Sequence, residues 1–237
     1  MKRADHFEGA IPRPQAAAEC AEAIYDNQGN PDLLRLRPPE ARRILDIGCG
    51  TGSNARLLGA EGCRVWGVTV SPREAEIAKR RLEEVSVCDV ERDRLPWPKG
   101  SFDLLLMSHV LEHLVRPKDA LARLAEYLQP GGWLLAAVPN MAHWRIRVRL
   151  ARGDWAREES GPFDRTHLHF WSFATAPRVV EGTPFASPTI MGGSPAVPLW
   201  PLRRLAPAPS RWIDREVGRL RPNLWSTQIF LLAKAIE

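Results

Sequence analysis

The sequence predicts an α/β fold, a doubly wound, Rossmann-like sheet with helices on both faces, and three observations carry that expectation. Between residues 43 and 139, short apolar runs alternate with stretches of helical period. The first run, RILDI, leads into a glycine loop with Gly48, Gly50 and Gly52 on alternate positions. The polar residues that end the later runs fall at one edge of such a sheet, where open α/β folds bind their ligands. Parallel neighbours need a long return connection, and a helix between strands supplies it.

Along the chain, residues 1–40 read as an N-terminal helical cap with one or two short helices, AAAECAEAIYDN and PDLLRL. Residues 41–140 form the core. RILDI is a short buried strand, SNARLLGAEG a helix closed by glycine, and RVWGVTV the next strand. SPREAEIAKRRL opens with a capping box, Ser71 as N-cap and Glu74 three residues on, with Pro72 at the first helical position. VSVCDV and FDLLLMS are two further strands. PKDALARLAEYL sets Leu121, Leu124 and Leu128 on one helical face before QPGG stops it, and WLLAAVP is a fifth strand. Residues 141–237, rich in tryptophan, arginine and proline, read as an insertion followed by C-terminal strands of the same domain. Within them SPAVPLWPLRRLAPAPS is a proline-punctuated connection and WSTQIFLLAKA a final strand.

Composition narrows the function classes. The 237 residues, 44% hydrophobic and 26% charged, are those of a globular chain. No apolar run approaches the roughly 20 residues of a membrane helix. MKRADHFEGA has no apolar core after its basic residues, so no secretion signal is expected. Cys20, Cys49, Cys63 and Cys88 form no close pair and read as reduced residues of a cytoplasmic protein. The net charge of +5 suits an anionic ligand or membrane surface. No recognisable nucleic-acid module accompanies it, so nucleic acid is not an expected partner.

The glycine spacing separates the nucleotides. G-x-G-x-x-G rests a pyrophosphate on a helix N-terminus, whereas this loop reads GCGTG with Asp46 two residues before Gly48. A carboxylate aimed into the pocket suits an ammonium group and repels a pyrophosphate. A nicotinamide oxidoreductase is therefore the weakest reading; the plain alternative is a tight strand-to-helix turn. ILDIGCGTGSN, VCDVERDRLPWPKGSFDLLLMSHVLEHL and LQPGGWLLAAVPN follow in order over residues 40–140. With these motifs the chain resembles the class I S-adenosylmethionine-dependent methyltransferases. The resemblance implies a seven-stranded sheet and S-adenosyl-L-methionine as cofactor. It also implies that Asp46, Gly48, Cys49 and Gly50 hold the methionine part, that Asp89 and Val90 meet the adenine, and that Ser108 and His109 line the cofactor. Thr69 and Val70 stand where the family usually carries an acid for the ribose hydroxyls. A threonine there makes one hydrogen bond in place of a charge-assisted pair, a loss of roughly 1–3 kcal/mol; some lipid-modifying relatives resemble this GVT pattern.

Methyl transfer to a hydroxyl asks the protein for position, dryness and a base. DRTHLHFWS supplies Asp164, His167 and His169. From VPNMAHWRIRVRLARGDW to DRTHLHFWS the chain resembles methyltransferases associated with glycan and cell-envelope biosynthesis, and W-type methionine-biosynthesis proteins of the same fold. By that likeness His167 faces the methyl group as candidate base; the plain alternative is that it bonds a backbone carbonyl and pins the insertion. His109 and His113, four apart, suggest a metal pair on one helical face, but no third ligand has convincing spacing and no metal is expected. Glu112 and His113 then read as supporting or capping residues.

In HWRIRVRLARGDW, Arg145, Arg149 and Arg152 share a helical face with Arg147 nearby. They form a solvated face, or they meet phosphates on an activated or lipid-linked acceptor, or helix 144–152 makes peripheral contact with an anionic membrane. Trp144, Trp155, Phe163, Phe170 and Trp171, with Arg165, suit a sugar ring or an apolar chain on a phosphate-bearing carrier. Tyr25 covers the cofactor by fold analogy alone. The expectation is a methyltransferase acting on a hydroxyl of a small or glycan-type acceptor. The alternatives are a lipid or quinone acceptor, and a cofactor-binding partner protein without turnover of its own.

Overall fold

The computed structural model describes residues 28–197, 214 and 216–236. The expected helix AAAECAEAIYDN with Tyr25, and most of SPAVPLWPLRRLAPAPS, lie outside the described residues. One seven-stranded sheet organises the chain, in the order β3-β2-β1-β4-β5-β7-β6. Its strands are β1 (Arg43–Ile47), β2 (Arg64–Thr69), β3 (Glu84–Val87), β4 (Phe102–Ser108), β5 (Leu128–Pro139), β6 (Thr189–Pro195) and β7 (Ser226–Lys234). The first five pair in parallel, and β7 runs antiparallel to both β5 and β6. β1 lies between β2 and β4, with Asp46 opposite Gly67 on one side and Leu106 on the other. The winding therefore reverses at β1, and the loops leaving β1 and β4 open over the same edge, the place where such sheets hold ligands.

The helices are α1 (Pro31–Leu34), α2 (Ser53–Ala60), α3 (Pro72–Ala78), α4 (Pro117–Ala125), α5 (Trp144–Ala151) and α6 (Pro222–Trp225). Because strand side chains alternate, one apolar run feeds two cores. On β4, Leu105 and Met107 join Leu121 and Leu124 of α4 on one face. Leu104 and Leu106 join Leu33 of α1, Leu58 of α2 and Ala78 of α3 on the other. Among the described residues no helix is long and apolar enough to cross a membrane, and Cys49, Cys63 and Cys88 are free thiols.

Two boundaries differ from the sequence expectation. Leu128 does not close the helical face of α4 but begins β5, which carries PGG inside the strand. The register shift between Phe102 and Leu104 on β4 absorbs that irregularity. Residues 109–113 do not make an α-helix either. His109 has φ 59, and a 3₁₀ turn, Leu111–His113, is all that follows. Pro117 at the start of α4 pushes Arg116 out of the helical region (ψ 71), so the segment is too short to continue.

β6 went unread because TIMGGSP has neither alternation nor bulk. Its glycines permit a close approach to β7: a Cβ on Gly193 would lie 2.0 Å from the Phe230 ring, and one on Gly192 would lie 2.1 Å from Ser226 Oγ. Gly193→Ala should accordingly cost about 1–3 kcal/mol by overpacking. Urea unfolding measures this, and an unchanged midpoint would show that β6 has slack the structure does not indicate.

Candidate functional site

The edge above β1 is built from a strand that delivers a carboxylate and a loop that keeps everything else small. The chain turns from β1 into α2 through Gly48 (φ 68), Gly50 (φ 52) and Gly52 (φ 82). A side chain on Gly48 would meet Val110 Cγ2 at 2.6 Å, so the loop is pressed against the exit of β4. The Cys49 amide donates to the Val68 carbonyl at 2.9 Å and ties the loop to β2; its buried thiol is pushed up by that burial. Asp46 is fully buried, and neither carboxylate oxygen has a hydrogen-bond partner. Burial raises its pKa to about 8, and the Asn54 side chain eases the charge without reaching hydrogen-bond geometry. A buried, unpaired carboxylate opposes folding; a ligand bringing a cation removes that penalty.

At the end of β2, Thr69 is engaged within the protein. Its buried hydroxyl donates to Glu74 Oε2 at 2.7 Å and accepts the Ser71 amide at 3.1 Å. Ser71 caps α3 as expected, accepting the Glu74 amide at 3.5 Å. The Glu74 side chain, however, turns to Thr69 and does not complete the capping box. The acid that the sequence lacks at position 69 is thus present one turn later, buried and held by Thr69. Val70 is 41% exposed at the mouth. Beyond β3, the Asp89 carboxylate accepts the Glu91 amide at 2.9 Å, and Asp89 donates its own amide to Asp93 at 2.8 Å. Val90 packs inward, into the core with Leu95.

At the exit of β4, Ser108 accepts from Asn30 Nδ2 at 3.5 Å, and Asn30 also donates to Gln228 Oε1 at 2.7 Å. His109 lies between two acceptors, with Nδ1 3.1 Å from Glu112 Oε1 and Nε2 2.9 Å from Gln228 Oε1. Both neighbours are acceptors, an arrangement that favours the protonated ring. Burial opposes that charge, but the hydrogen bond and charge of Glu112 outweigh it and hold the pKa above its ordinary value.

His167 lies in the same neighbourhood, buried, with Nδ1 donating to the Pro162 carbonyl at 3.3 Å and its ring edge-on to His113 at 4.7 Å. The anchoring alternative thus describes its Nδ1 side. Burial lowers its pKa and keeps it neutral. The segment is fastened to the turn after β4: the amides of Leu168 and His169 donate to the Glu112 carbonyl at 2.7 and 3.3 Å. Arg157 clamps it with bonds to the carbonyls of Asp164, Arg165 and His167. His169 instead stacks on Trp171. Sequence spacing cannot reveal this gathering, because Glu112 and His167 are far apart along the chain.

The basic helix is less free than its sequence suggests. Arg149 pairs with Asp154 at 2.9 Å and with Glu158, and lies 4.4 Å over the Phe163 ring. Arg147 donates to the Ala142 carbonyl at 2.6 Å. Arg145 stacks on Trp144, and with Arg152 it lines a shallow groove along α5. Trp155 and Phe170 are exposed, whereas Phe163 is core.

The glycine cradle and the orphaned Asp46 carboxylate fit S-adenosylmethionine, whose methionine part carries an ammonium group. A sequence model described as "Methyltransferase domain" matches residues 21–181, and the chain belongs to that family. It is 34% identical over 126 residues to the O-methyltransferase cnsE of Penicillium expansum, covering 50% of this chain and 46% of that one. It is also 34% identical over 113 residues to the ubiquinone biosynthesis O-methyltransferase of Methylocella silvestris, covering 46% and 44%. The chain therefore spans about half the length of the curated relatives it matches. The fold is shared with a SAM-dependent methyltransferase from Archaeoglobus fulgidus (TM-score 0.60, 20% identity, 83% of this chain and 87% of that one). It is shared too with an S-adenosylmethionine-dependent methyltransferase from Mesorhizobium loti (0.57, 18%, 86% and 96%).

Two outcomes follow from the site's electrostatics. The folded-state pKa of Asp46 lies above its ordinary 3.8, so the ligand-free folded protein holds an extra proton between 3.8 and about 8. Its stability should fall as pH rises through that window, and Asp46→Asn should flatten the decline; urea midpoints across the range check both. The Thr69–Glu74 contact makes Thr69→Asp unfavourable, because it sets two carboxylates at hydrogen-bond distance. Thr69→Val removes the hydroxyl that serves the Glu74 carboxylate and the Ser71 amide and should cost about 1–3 kcal/mol. Thermal unfolding of both variants tests this, and a stabilised Thr69→Asp would contradict it.

Proposed function

We propose that the protein is an S-adenosylmethionine-dependent methyltransferase acting on a hydroxyl group of a small, ring-bearing acceptor, of glycan or quinone-precursor type. The observation that carries the cofactor assignment is Asp46, buried and unpartnered at the sheet edge beside a glycine cradle. In this reading Asp46 receives the ammonium group, and Gly48 and Gly50 let the backbone approach. Glu74, oriented by Thr69, takes the role of the ribose acid. When bound, the cofactor supplies a methyl group activated on a sulfonium sulfur. The hydroxyl acceptor is supported by the relatives named as O-methyltransferases, in ubiquinone biosynthesis among others. The exposed Trp155 and Phe170 give a ring-bearing acceptor a surface to meet. The groups that would meet its hydroxyl are those gathered at the turn after β4, Glu112, His113 and His167.

Calorimetry separates this reading from its rivals. S-adenosylmethionine should bind and NAD should not, and Asp46→Asn should weaken binding by roughly 1–3 kcal/mol. An acceptor screen that follows S-adenosylhomocysteine should then find turnover with phenols or sugar hydroxyls. Tight cofactor binding without turnover on any acceptor would instead support a partner protein, and preferential binding of NAD would overturn the assignment.

A further inference from the structure

Glu112, His113 and His167 each offer one ligand atom, and the three atoms lie within 4.8 Å of one another. The hydrogen bonds behind them decide what those atoms are. Thr166 Oγ1 gives its proton to the Asp164 carboxylate at 2.6 Å, because a carboxylate can only accept. The same hydroxyl oxygen, 2.9 Å from His113 Nδ1, therefore accepts from the ring, which leaves Nε2 of His113 outside that bond. His167 donates Nδ1–H to the Pro162 carbonyl, which leaves its Nε2 outside that bond in the same way. Glu112 spends Oε1 on His109, and its Oε2 is buried without a hydrogen-bond partner. Two imidazoles and one carboxylate, each with its far side held by a second group, are the donor set and supporting shell of a transition-metal site.

We propose that Glu112, His113 and His167 bind one divalent transition-metal ion of the zinc class. Bonds of about 2.1 Å place the ligand atoms of such an ion roughly 3–4 Å apart, which small side-chain rotations reach from the present separation. His109 acts through Glu112 as a positioning residue, as Thr166 does through His113. Three protein ligands leave a coordination position for an oxygen donor. Binding of an acceptor hydroxyl there rests on the methyl-transfer reading, whereas binding of the ion does not. Sequence spacing misses the site because Glu112 and His113 are adjacent on a 3₁₀ turn, and His167 arrives from a segment fastened to it only in the folded chain.

The test uses tag-free protein, stripped with a chelator and titrated with Zn²⁺ by calorimetry and with Co²⁺ by visible absorption. The wild type should bind one equivalent and give the intense visible bands of Co²⁺ in a low-coordinate nitrogen–oxygen site. His113→Gln and His167→Gln should abolish stoichiometric binding. Thr166→Val keeps all three ligands but loses the acceptor behind His113, and should weaken binding roughly 10–100-fold. S-adenosylmethionine affinity and thermal unfolding of each variant show that the fold survives. Should a histidine variant unfold, Thr166→Val and the wild-type Co²⁺ spectrum still decide. Wild-type binding no tighter than that of the variants, or bound Co²⁺ that keeps its aqueous spectrum, would overturn the site while leaving the cofactor assignment standing.

Discussion

The parallel ladder that holds β1 between β2 and β4 is the constraint on which the rest of the structure depends. Backbone hydrogen bonds to both neighbours leave Asp46 no room to turn away from the interior. The charge it carries must then be met at the sheet edge or suppressed by a proton. The reversal of winding at β1 opens the edge, and the glycine loop keeps the opening clear of side chains. A ligand with an ammonium group resolves at once the two problems the fold creates: an unpaired carboxylate and an uncovered cradle.

Around that edge, Asp46 apart, polar groups are oriented in pairs. Thr69 holds Glu74, Glu112 holds His109, Thr166 and Asp164 hold His113, and Pro162 holds His167. Such paired orientation fixes which atom of each group carries a proton and which offers a lone pair. The site is therefore described better by its hydrogen-bond partners than by its residue types. Both faces of the cofactor edge are built this way, although one comes from the regular α/β core and the other from the irregular segment after β5.

Attachment of that segment explains why it belongs to the same folding unit as the core. Leu168 and His169 donate to the Glu112 carbonyl, and Arg157 closes the loop on itself. The arginines of α5 take part in the same economy of contacts. Arg149 serves Asp154, Glu158 and Phe163, and it lines the α5 groove together with Arg145 and Arg152.

Local chemistry was enough to read the core from sequence. The apolar runs determined five parallel strands, the glycine spacing with Asp46 determined the kind of ligand, and Ser71 with Pro72 determined where α3 begins. These depend on neighbours a few residues apart, and periodicity and capping register them. The remaining features depend on groups brought together from afar. β6 exists because Gly192 and Gly193 fit against Ser226 and Phe230, which no alternation announces. Thr69 looked like a ribose contact because its partner, Glu74, shows only when α3 folds back on β2. His109 and His113 looked like one helical face, but Pro117 cuts the segment to a single 3₁₀ turn. Glu112, His113 and His167 lie together because two backbone hydrogen bonds, from Leu168 and His169 to Glu112, carry His167 to the turn after β4. Sequence alone determined the sheet and its ligand class, since those follow from short-range preference and charge; tertiary structure alone decided which side chains share a proton, since that requires their atoms within 3 Å or so.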